Sequence, residues 1–205
     1  KLPSDAPLGN YSIVGKRDDR HTIYGEFLVA AYRRPDFRVD ATLNAPSTIA
    51  GTPVDGKISA RYLHGGVMAG RDVKWTWSKT QRFDVPSTIS DRFPQERWAF
   101  LGWDGEENNQ SRVTISTKDE KLNDGGDLSL KLETDIKAGF PFDYELEGDV
   151  TDVTRQHIAG RTTYRVDPAP WYIGVKTPPY FADATKGVDT EVVASSISGT
   201  ATPGV

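Results

Sequence analysis

Apolar and polar residues alternate along most of this 205-residue chain. A period of two places one face of an extended segment on a hydrophobic core and the other face in water. The pattern therefore predicts strands of antiparallel sheet, each with one buried face. The expected core positions are Phe37, Val39, Ala41 and Leu43; Ile58, Ala60 and Tyr62; Val73, Trp75 and Trp77; Val113 and Ile115; Leu128, Leu130 and Leu132; Phe142, Tyr144 and Leu146; and Tyr164 and Val166.

Clusters of turn-forming residues separate these predicted strands. Asn, Asp, Gly and Pro favour turns because they accept or impose backbone conformations that strands do not use. The clusters are Ala45-Pro46-Ser47, His64-Gly65-Gly66, Asn123-Asp124-Gly125-Gly126 and Ala159-Gly160. Since no helical pattern of about ten residues or more is found, we predict an all-β fold built of antiparallel β-sandwiches.

Residues 82–110 do not follow the alternation. The segment is longer than an ordinary hairpin loop and is rich in aromatic residues and proline. One interpretation is an insertion whose aromatic side chains cover one end of a sandwich. The alternative is an exposed aromatic surface that binds a partner or a sugar, with Trp98 and Trp103 as the candidate residues.

Short stretches of the sequence recur at a nearly constant spacing of about 134 residues. A recurrence of this length matches the size of a β-sandwich domain that carries an insertion. The corresponding pairs are Tyr11-Ser12-Ile13 with Tyr144-Glu145-Leu146, Ile23-Tyr24-Gly25 with Ile158-Ala159-Gly160, Pro35 with Pro170, Phe37 with Tyr172, and Gly70 with Gly204.

The recurrence predicts one complete and two partial domains. The complete sandwich is expected at residues 35–169, with the aromatic insertion at 82–110. Residues 1–34 are expected to be the closing strands of a preceding domain, and residues 170–205 the opening strands of a following one. We therefore expect the sequence to come from a longer protein. Because two isolated strands are marginally stable, the end portions are expected to associate, including between copies of the chain.

A basic sequence, Tyr32-Arg33-Arg34-Pro35, lies at the first predicted domain boundary. We interpret it as a hydrogen-bonded collar of Arg and Tyr side chains that fixes the angle between neighbouring domains. The alternative is a solvated linker, which the proline would keep extended.

The composition narrows the classes of function. There are 25 Lys and Arg residues against 29 Asp and Glu, a net charge of -4, which argues against a nucleic-acid partner. No apolar run approaches the roughly 18 residues of a membrane helix, so we predict no membrane insertion. The lack of cysteine excludes disulfides, zinc fingers and thiol nucleophiles within these residues.

The titratable residues form no recognised catalytic or metal-binding motif. His21, His64 and His157 are isolated, and we interpret them as solvent-exposed turn residues. The acidic segment 119–127 could offer oxygen ligands to calcium, but its spacing departs from an EF-hand loop, and a charged hairpin turn is preferred. We predict no enzyme activity, no catalytic, cofactor-binding or metal-binding residue, and no cofactor.

Several stretches resemble macroglobulin domains of the alpha-2-macroglobulin superfamily, particularly its bacterial branch. Residues 26–40, EFLVAAYRRPDFRVD, are similar to a junction between consecutive domains of that family. The other similar stretches are residues 49–70, 73–77, 152–160 and 171–175. The resemblance spans nearly the whole chain and is weakest in the aromatic insertion.

The resemblance implies fibronectin-III-like macroglobulin domains from the N-terminal half of a bacterial protease trap. In that family a protease cuts a bait region, the molecule changes shape, and in many members a Cys–Gln thioester captures the attacker. This sequence has no cysteine for a thioester and no recognisable bait segment. The implied role is structural, in the periplasm or at the cell envelope. The implied partners are neighbouring domains of the parent chain and, through the parent, target proteases.

Two other hypotheses remain open. An extracytoplasmic adhesin or carbohydrate-binding module would use Trp98 and Trp103 as stacking platforms. A hydrolase on a β-sandwich is also conceivable, although no pairing of a nucleophile with a base is found.

Overall fold

The computed structural model describes residues 3, 6–7, 9–18, 21–29, 34–45, 47–102, 111–176, 185 and 187–202. The chain divides into two compact units, Lys1–Asp36 and Phe37–Val205. In the first unit, β1 (Gly9–Asp18) and β2 (His21–Val29) form an antiparallel hairpin. The rings of Tyr11 and Phe27 stack across this hairpin with their centroids 5.5 Å apart.

The second unit consists of three sheets and one short helix among its described residues. The three-stranded sheet has the order β3-β5-β9, the five-stranded sheet the order β4-β11-β10-β6-β8, and the four-stranded sheet the order β14-β13-β12-β7. The elements are β3 (Phe37–Leu43), β4 (Ser47–Ile49), β5 (Val54–Tyr62), β6 (Asp72–Gln81), α1 (Ser87–Ser90), β7 (Trp98–Ala99), β8 (Val113–Lys121), β9 (Asp127–Leu132), β10 (Phe142–Thr151), β11 (His157–Asp167), β12 (Trp171–Lys176), β13 (Val192–Ser196) and β14 (Ala201–Thr202).

The main hydrophobic core lies between the three-stranded and five-stranded sheets. Phe37, Ile58, Trp77, Tyr144 and Leu146 fill it and are at most 2% exposed. The polar atoms of the two largest side chains are satisfied, since the Trp77 indole donates to a backbone carbonyl at 2.9 Å and the Tyr144 hydroxyl accepts a backbone N–H at 3.0 Å. The predicted all-β sandwich fold is confirmed.

The strand pairings among the described residues are antiparallel, apart from the parallel pairing of β4 with β11. The predicted turns at 64–66 and 123–126 are confirmed. Gly65 has a φ of 97° and Gly126 a φ of 70°, which glycine adopts without the steric penalty of a Cβ. In the second turn the Asn123 side chain accepts hydrogen bonds from the backbone N–H groups of Gly125 and Asp127.

The prediction that Val113 and Ile115 are core residues was wrong, because they are 51% and 44% exposed. They lie on β8, an edge strand whose register against β6 shifts between Trp77 and Ser78. In this register Val113 lies opposite Lys79, on the same face of the sheet as Trp75 and Trp77, and Ile115 is the unpaired residue of the bulge. Both are exposed because the edge strand β8 is open on both faces, with only Ser116 of its residues partly buried. The part of β8 that lies beside Trp75 is polar.

The prediction of a turn at Ala159-Gly160 was also wrong, because both residues lie inside β11. Gly160 is needed for a different reason. A Cβ built at Gly160 would lie 2.3 Å from the carbonyl oxygen of Val39, so β3 passes against β11 at backbone distance. This glycine marks a close approach between two sheets and not a reversal of the chain.

The four-stranded sheet has its own small hydrophobic cluster. Val85, Ile89 and Tyr172 are its buried members, and Phe93, Phe100, Leu101 and Ile197 pack against them. Phe93 and Phe100 of the predicted insertion therefore cover the four-stranded sheet and not one end of the sandwich, whereas Phe83 packs against Phe140, close before β10, with ring centroids 6.3 Å apart. The reason is that β7, within this segment, pairs with β12.

The local hydrogen-bond pattern after β5 recurs after β13. The backbone N–H groups of Tyr62 and Gly65 bond to the carbonyls of Gly66 and Tyr62, and those of Ser196 and Gly199 bond to Thr200 and Ser196. Gly65 and Gly199 both have a positive φ, 97° and 80°. Each residue of the second turn lies 134 positions after its counterpart in the first, so that Gly199 corresponds to Gly65.

The strand registers recur in the same way. Phe37 pairs with Tyr62 between β3 and β5, and Trp171 pairs with Ser196 between β12 and β13, again 134 positions later. The counterpart of Phe37 is thus Trp171, one residue before the Tyr172 that the sequence comparison suggested. In the first unit, Ile13 pairs with Gly25, and in the second Gly148 pairs with Gly160, which are 135 positions later.

We predict that Gly160→Ala destabilises the sandwich by about 1–3 kcal/mol, because the new methyl group meets backbone atoms that cannot move aside. Chemical denaturation followed by Trp fluorescence measures the change. Gly139→Ala is the matched control, since a Cβ there meets no described atom within 4 Å, and its effect should stay within about 0.5 kcal/mol. Equal effects for the two variants would contradict the close approach.

Candidate functional site at the joint between the sandwich and the four-stranded sheet

The three histidines and the acidic segment lie in turns or at the ends of strands. His64 is exposed in its turn and stacks on Tyr62, with ring centroids 5.2 Å apart. His21 and His157 are instead the first residues of β2 and β11. The acidic segment 119–127 contains the β8–β9 turn, but the prediction of a hairpin there was wrong, because β8 and β9 belong to different sheets. At the end of this turn Asp127 pairs with Lys57 and Arg61 at 3.0 and 2.8 Å.

In the described part of the chain, no group of three or more His, Asp or Glu residues could hold a metal ion. No helix in that part is long and apolar enough to span a membrane.

A buried polar cluster lies where β11 leads into β12. Asp167, the last residue of β11, has a side chain that is 3% exposed. Its carboxylate oxygen Oδ1 accepts a hydrogen bond from the Tyr172 hydroxyl at 2.6 Å and another from Arg165 Nε at 2.9 Å. A buried carboxylate is tolerated only when donors replace its lost water, and this one has two from opposite sides of the connection.

A second acid–base group lies directly beside the first. Arg82 donates two hydrogen bonds of 2.7 Å to the carboxylate of Asp84 and a third, of 2.8 Å, to Asp143. Arg165 connects the two groups, because its Nη2 donates to the backbone carbonyl of Asp84 at 2.8 Å. Bidentate Arg–carboxylate geometry is among the strongest and most directional forms of ion pairing.

The protonation states follow from these contacts. Hydrogen bonds from Arg82 hold the pKa of Asp84 below its ordinary value, so Asp84 stays ionised at neutral pH. Burial raises the pKa of Tyr172, and the hydrogen bond to the negatively charged Asp167 raises it further. The Tyr172 hydroxyl is therefore a proton donor throughout the physiological range.

Residues 82–101, which we call the clamp segment, connect this polar cluster to the four-stranded sheet. At its far end, Ala99 and Trp98 pair with Val175 and Lys176 of β12. Between the two ends, Thr88 Oγ1 donates to the carbonyl of Ile197 at 2.6 Å. The clamp segment therefore contacts the sheet through a strand, a helix and the polar cluster.

Packing within the clamp segment is close at several points. Arg92 donates to the carbonyl of Gly199 at 3.0 Å. A Cβ at Gly199 would lie 2.3 Å from the carbonyl oxygen of Thr88, and one at Gly174 would lie 2.4 Å from the Phe100 ring. These two glycines let the helix and the aromatic cluster lie directly on the backbone of the sheet.

Trp98 takes part in this packing. Its side chain is half-buried, and its ring lies 5.4 Å from Phe93 in an edge-to-face arrangement and 6.5 Å from Phe100. The other proposed stacking residue, Trp103, lies outside the described residues. Cluster packing accounts for the position of Trp98 without a bound sugar.

The structure does not test the collar that was predicted at Tyr32-Arg33-Arg34-Pro35. Tyr32 and Arg33 lie outside the described residues. An Arg and a Tyr that share a carboxylate are found instead at Arg165, Asp167 and Tyr172. The sequence signal was an Arg and an Asp two positions apart, which lie on the same face of a strand, followed by a Tyr across a proline-containing connection.

We predict that Asp167→Ala lowers the free energy of unfolding by about 3–5 kcal/mol, because it leaves Arg165 and the Tyr172 hydroxyl without their shared acceptor. Urea denaturation measures the change. Asp72→Ala is the matched control, since the side chains of Asp72 and its partner Lys121 are 75% and 69% exposed, and its effect on stability should be far smaller than that of Asp167→Ala. A loss at Asp167 no larger than at Asp72 would refute the role of the buried carboxylate.

We predict that Asp84 stabilises the fold at neutral pH and that this contribution is lost in acid. A carboxyl whose folded pKa is lowered stabilises the protein above its unfolded pKa, about 3.9. The contribution falls as the pH drops through the lowered folded value. Asp84→Asn should therefore lower the melting temperature at pH 7, and the gap from wild type should narrow below about pH 4. A gap that is constant with pH would contradict this.

Comparisons with known proteins give a consistent result. No protein-family model matches the chain. The chain is 26% identical over 193 residues to an alpha-2-macroglobulin homolog of Nostoc, and 26% identical over 166 residues to an alpha-2-macroglobulin of Thermotoga maritima. These matches cover 94% and 81% of the chain. The chain spans about a tenth of these relatives, 10% and 9% of their lengths.

Solved structures show the same fold. The native conformation of Escherichia coli alpha-2-macroglobulin matches 98% of the chain with a TM-score of 0.70 at 16% identity, over 13% of that protein. Salmonella alpha-2-macroglobulin reacted with methylamine matches 95% of the chain with a TM-score of 0.67 at 15% identity, also over 13% of its length. The resemblance predicted from the sequence is confirmed: the chain is similar in sequence to bacterial alpha-2-macroglobulins and has the fold of the corresponding portion of their solved structures.

Proposed function

We propose that the chain is a structural portion of a bacterial protease trap. In this proposal residues 35–169 are a complete macroglobulin-like domain, residues 1–34 close a preceding domain, and residues 170–205 open a following one. The observation that carries the proposal is the buried Asp167, which Arg165 and Tyr172 share across the second of these boundaries.

The recurring registers support this division. The strands β12 and β13 repeat the pairing of β3 and β5, and the β1–β2 hairpin repeats the pairing of β10 and β11. A pattern that recurs at a fixed spacing is the signature of tandem domains of one type. The proposal places this region in the N-terminal half of the longer protein.

The role of the joint in such a protein is mechanical. Turning the four-stranded sheet relative to the sandwich would separate Tyr172 or Arg165 from Asp167 and leave a buried charge with too few donors. The clamp segment would also have to release its pairing with β12. The sandwich and the first strands of the next domain therefore move as one body, and a shape change after bait cleavage occurs at other boundaries.

The proposal also assigns partners and a location. The direct partners are the neighbouring domains of the parent chain, and a target protease is met by the parent protein as a whole. The parent acts outside the cytoplasm, in the periplasm or attached to the cell envelope. This portion carries no catalytic residue in the proposal. The alternative of a carbohydrate-binding module loses its main support, because Trp98 packs inside the clamp segment.

The test uses the polypeptide from the full reading frame that contains this sequence, challenged with trypsin. We predict that trypsin cleaves the parent and then loses activity on a large protein substrate while it still cleaves a small chromogenic peptide, because a caged enzyme admits only small substrates. Residual activity on both substrates is the measurement. Equal activity on both after incubation with the parent would overturn the proposal, and heat-denatured parent is the control.

A further inference from the structure

The turn after β5 borders a cavity on the outer face of the three-stranded sheet. This cavity of about 270 Å³, which we call the turn cavity, is lined by Arg38, Arg61, Tyr62, Leu63 and Gly65. Leu63 is 63% exposed, and a Cβ at Gly65 would meet none of the described atoms within 4 Å. A single exposed leucine is common on protein surfaces, but this one has a covered counterpart in the same structure.

Every residue that lines the turn cavity has a counterpart 134 positions later, in the four-stranded sheet. The counterparts, in the same order, are Tyr172, Ser195, Ser196, Ile197 and Gly199. The bridge between Arg61 and Val67 also recurs, as the pairing of Ser195 with Ala201. The backbone of the turn cavity is therefore repeated in the following sheet.

The later of these two surfaces is covered by the clamp segment. Thr88 Oγ1 donates to the carbonyl of Ile197 and Arg92 to the carbonyl of Gly199, and Ile197 packs against the small hydrophobic cluster. Gly199 is buried, because the carbonyl oxygen of Thr88 lies where a Cβ would be. The corresponding leucine and glycine of the turn cavity are both exposed. The two surfaces thus differ in whether a clamp segment lies on them.

The edge of β3 shows the same difference. β12 pairs with β13 on one side and, at Val175 and Lys176, with β7 of the clamp segment on the other. Its counterpart β3 pairs with β5, and no second strand pairs with it among the described residues. The positions that correspond to Val175 and Lys176 are Ala41 and Thr42. The earlier sheet is therefore open at both places where the clamp segment holds the later one.

Two substitutions define the chemistry of an occupant. Arg38 stands where Tyr172 stands, and its side chain is 68% exposed beside Asp40. A guanidinium at this point favours a carboxylate or carbonyl oxygen on the occupant. Asp40 stands where Gly174 lies against the Phe100 ring, so its Cβ leaves no room for a ring in that position. The occupant therefore contacts the sheet as the clamp segment does, with an oxygen acceptor towards Arg38 and without a counterpart of Phe100.

We propose that the turn cavity and the free edge of β3 bind a clamp-like segment of the preceding domain of the longer protein. The clamp segment lies between β6 and β8 of one domain and covers the first strands of the next. The same arrangement one repeat earlier puts the covering segment upstream of β1. The inference rests on the domain division in the proposed function and adds that two successive joints are built alike.

The first test measures how fast a maleimide reaches single-cysteine variants, since the sequence has no cysteine of its own. In the 205-residue chain, Leu63→Cys should react at least about tenfold faster than Ile197→Cys, because only Ile197 is covered. In the longer polypeptide of the trypsin assay, Leu63→Cys should react at least about tenfold more slowly than in the 205-residue chain. Mass spectrometry of the labelled peptide identifies the site.

The matched control is Ile115→Cys, at a residue of the edge strand β8 that is 44% exposed. It should react at the same rate in the 205-residue chain and in the longer polypeptide. Far-ultraviolet circular dichroism and the melting temperature check that the three variants keep the fold of wild type.

The second test identifies the occupant. Leu63 is replaced by the photoreactive p-benzoylphenylalanine in the longer polypeptide, and mass spectrometry locates the crosslinked peptide. The crosslink should lie within one molecule and join position 63 to the region one repeat length before the clamp segment. The same probe in place of Ile115 should give no crosslink to that region.

The inference is overturned if Leu63→Cys reacts as fast in the longer polypeptide as in the 205-residue chain, or if the crosslink joins position 63 to another region or to a second molecule. Neither outcome alters the trypsin assay, which reads the activity of the protease on two substrates. Conversely, trypsin that stays equally active on both would overturn the proposed function and leave a measured protection of Leu63 unchanged. The two failures are therefore distinguishable.

Discussion

The arrangement of the second unit depends on one buried carboxylate. Asp167 is buried, and both Arg165 and Tyr172 donate hydrogen bonds to its carboxylate. Those donors stand on either side of the connection between β11 and β12, so the geometry that satisfies the carboxylate also sets the direction in which β12 leaves the sandwich. Since Arg165 also binds Asp84, the start of the clamp segment is held by the same network.

The clamp segment provides the second layer that the short strands after β11 need. β12, β13 and β14 contain six, five and two residues, too few for a sheet that is stable alone in water. Helix α1 and the Phe93 and Phe100 rings cover one face of this sheet, and β7 extends its edge. The clamp segment, which the sequence predicts to be an insertion in the sandwich, therefore packs against the four-stranded sheet that follows it.

The alternation of apolar and polar residues correctly predicted core positions on strands whose pairing has no register shift, as at Phe37, Ile58 and Tyr144. It failed at Val113 and Ile115, because β8 is an edge strand whose residues are exposed on both faces, which the alternation of its apolar residues does not reveal. It failed at Gly160 because a glycine needed for contact with a distant strand looks like a glycine needed for a turn. The Asp167 cluster was missed for the same reason, since its partners meet only through tertiary structure.

A difference of one residue in the spacing of the repeat changes which face of β12 is assigned to the core. Aligning Phe37 with Tyr172 would place Tyr172 on the core side of the following sheet, whereas the register aligns Phe37 with Trp171. A slip of one residue exchanges the two faces of a strand. Tyr172 is therefore free to point at Asp167 and the clamp segment, and Trp171 points to the opposite, open side. The two faces of β12 therefore differ: the face with Tyr172 is held by the hydrogen bond to Asp167, and the face with Trp171 is exposed.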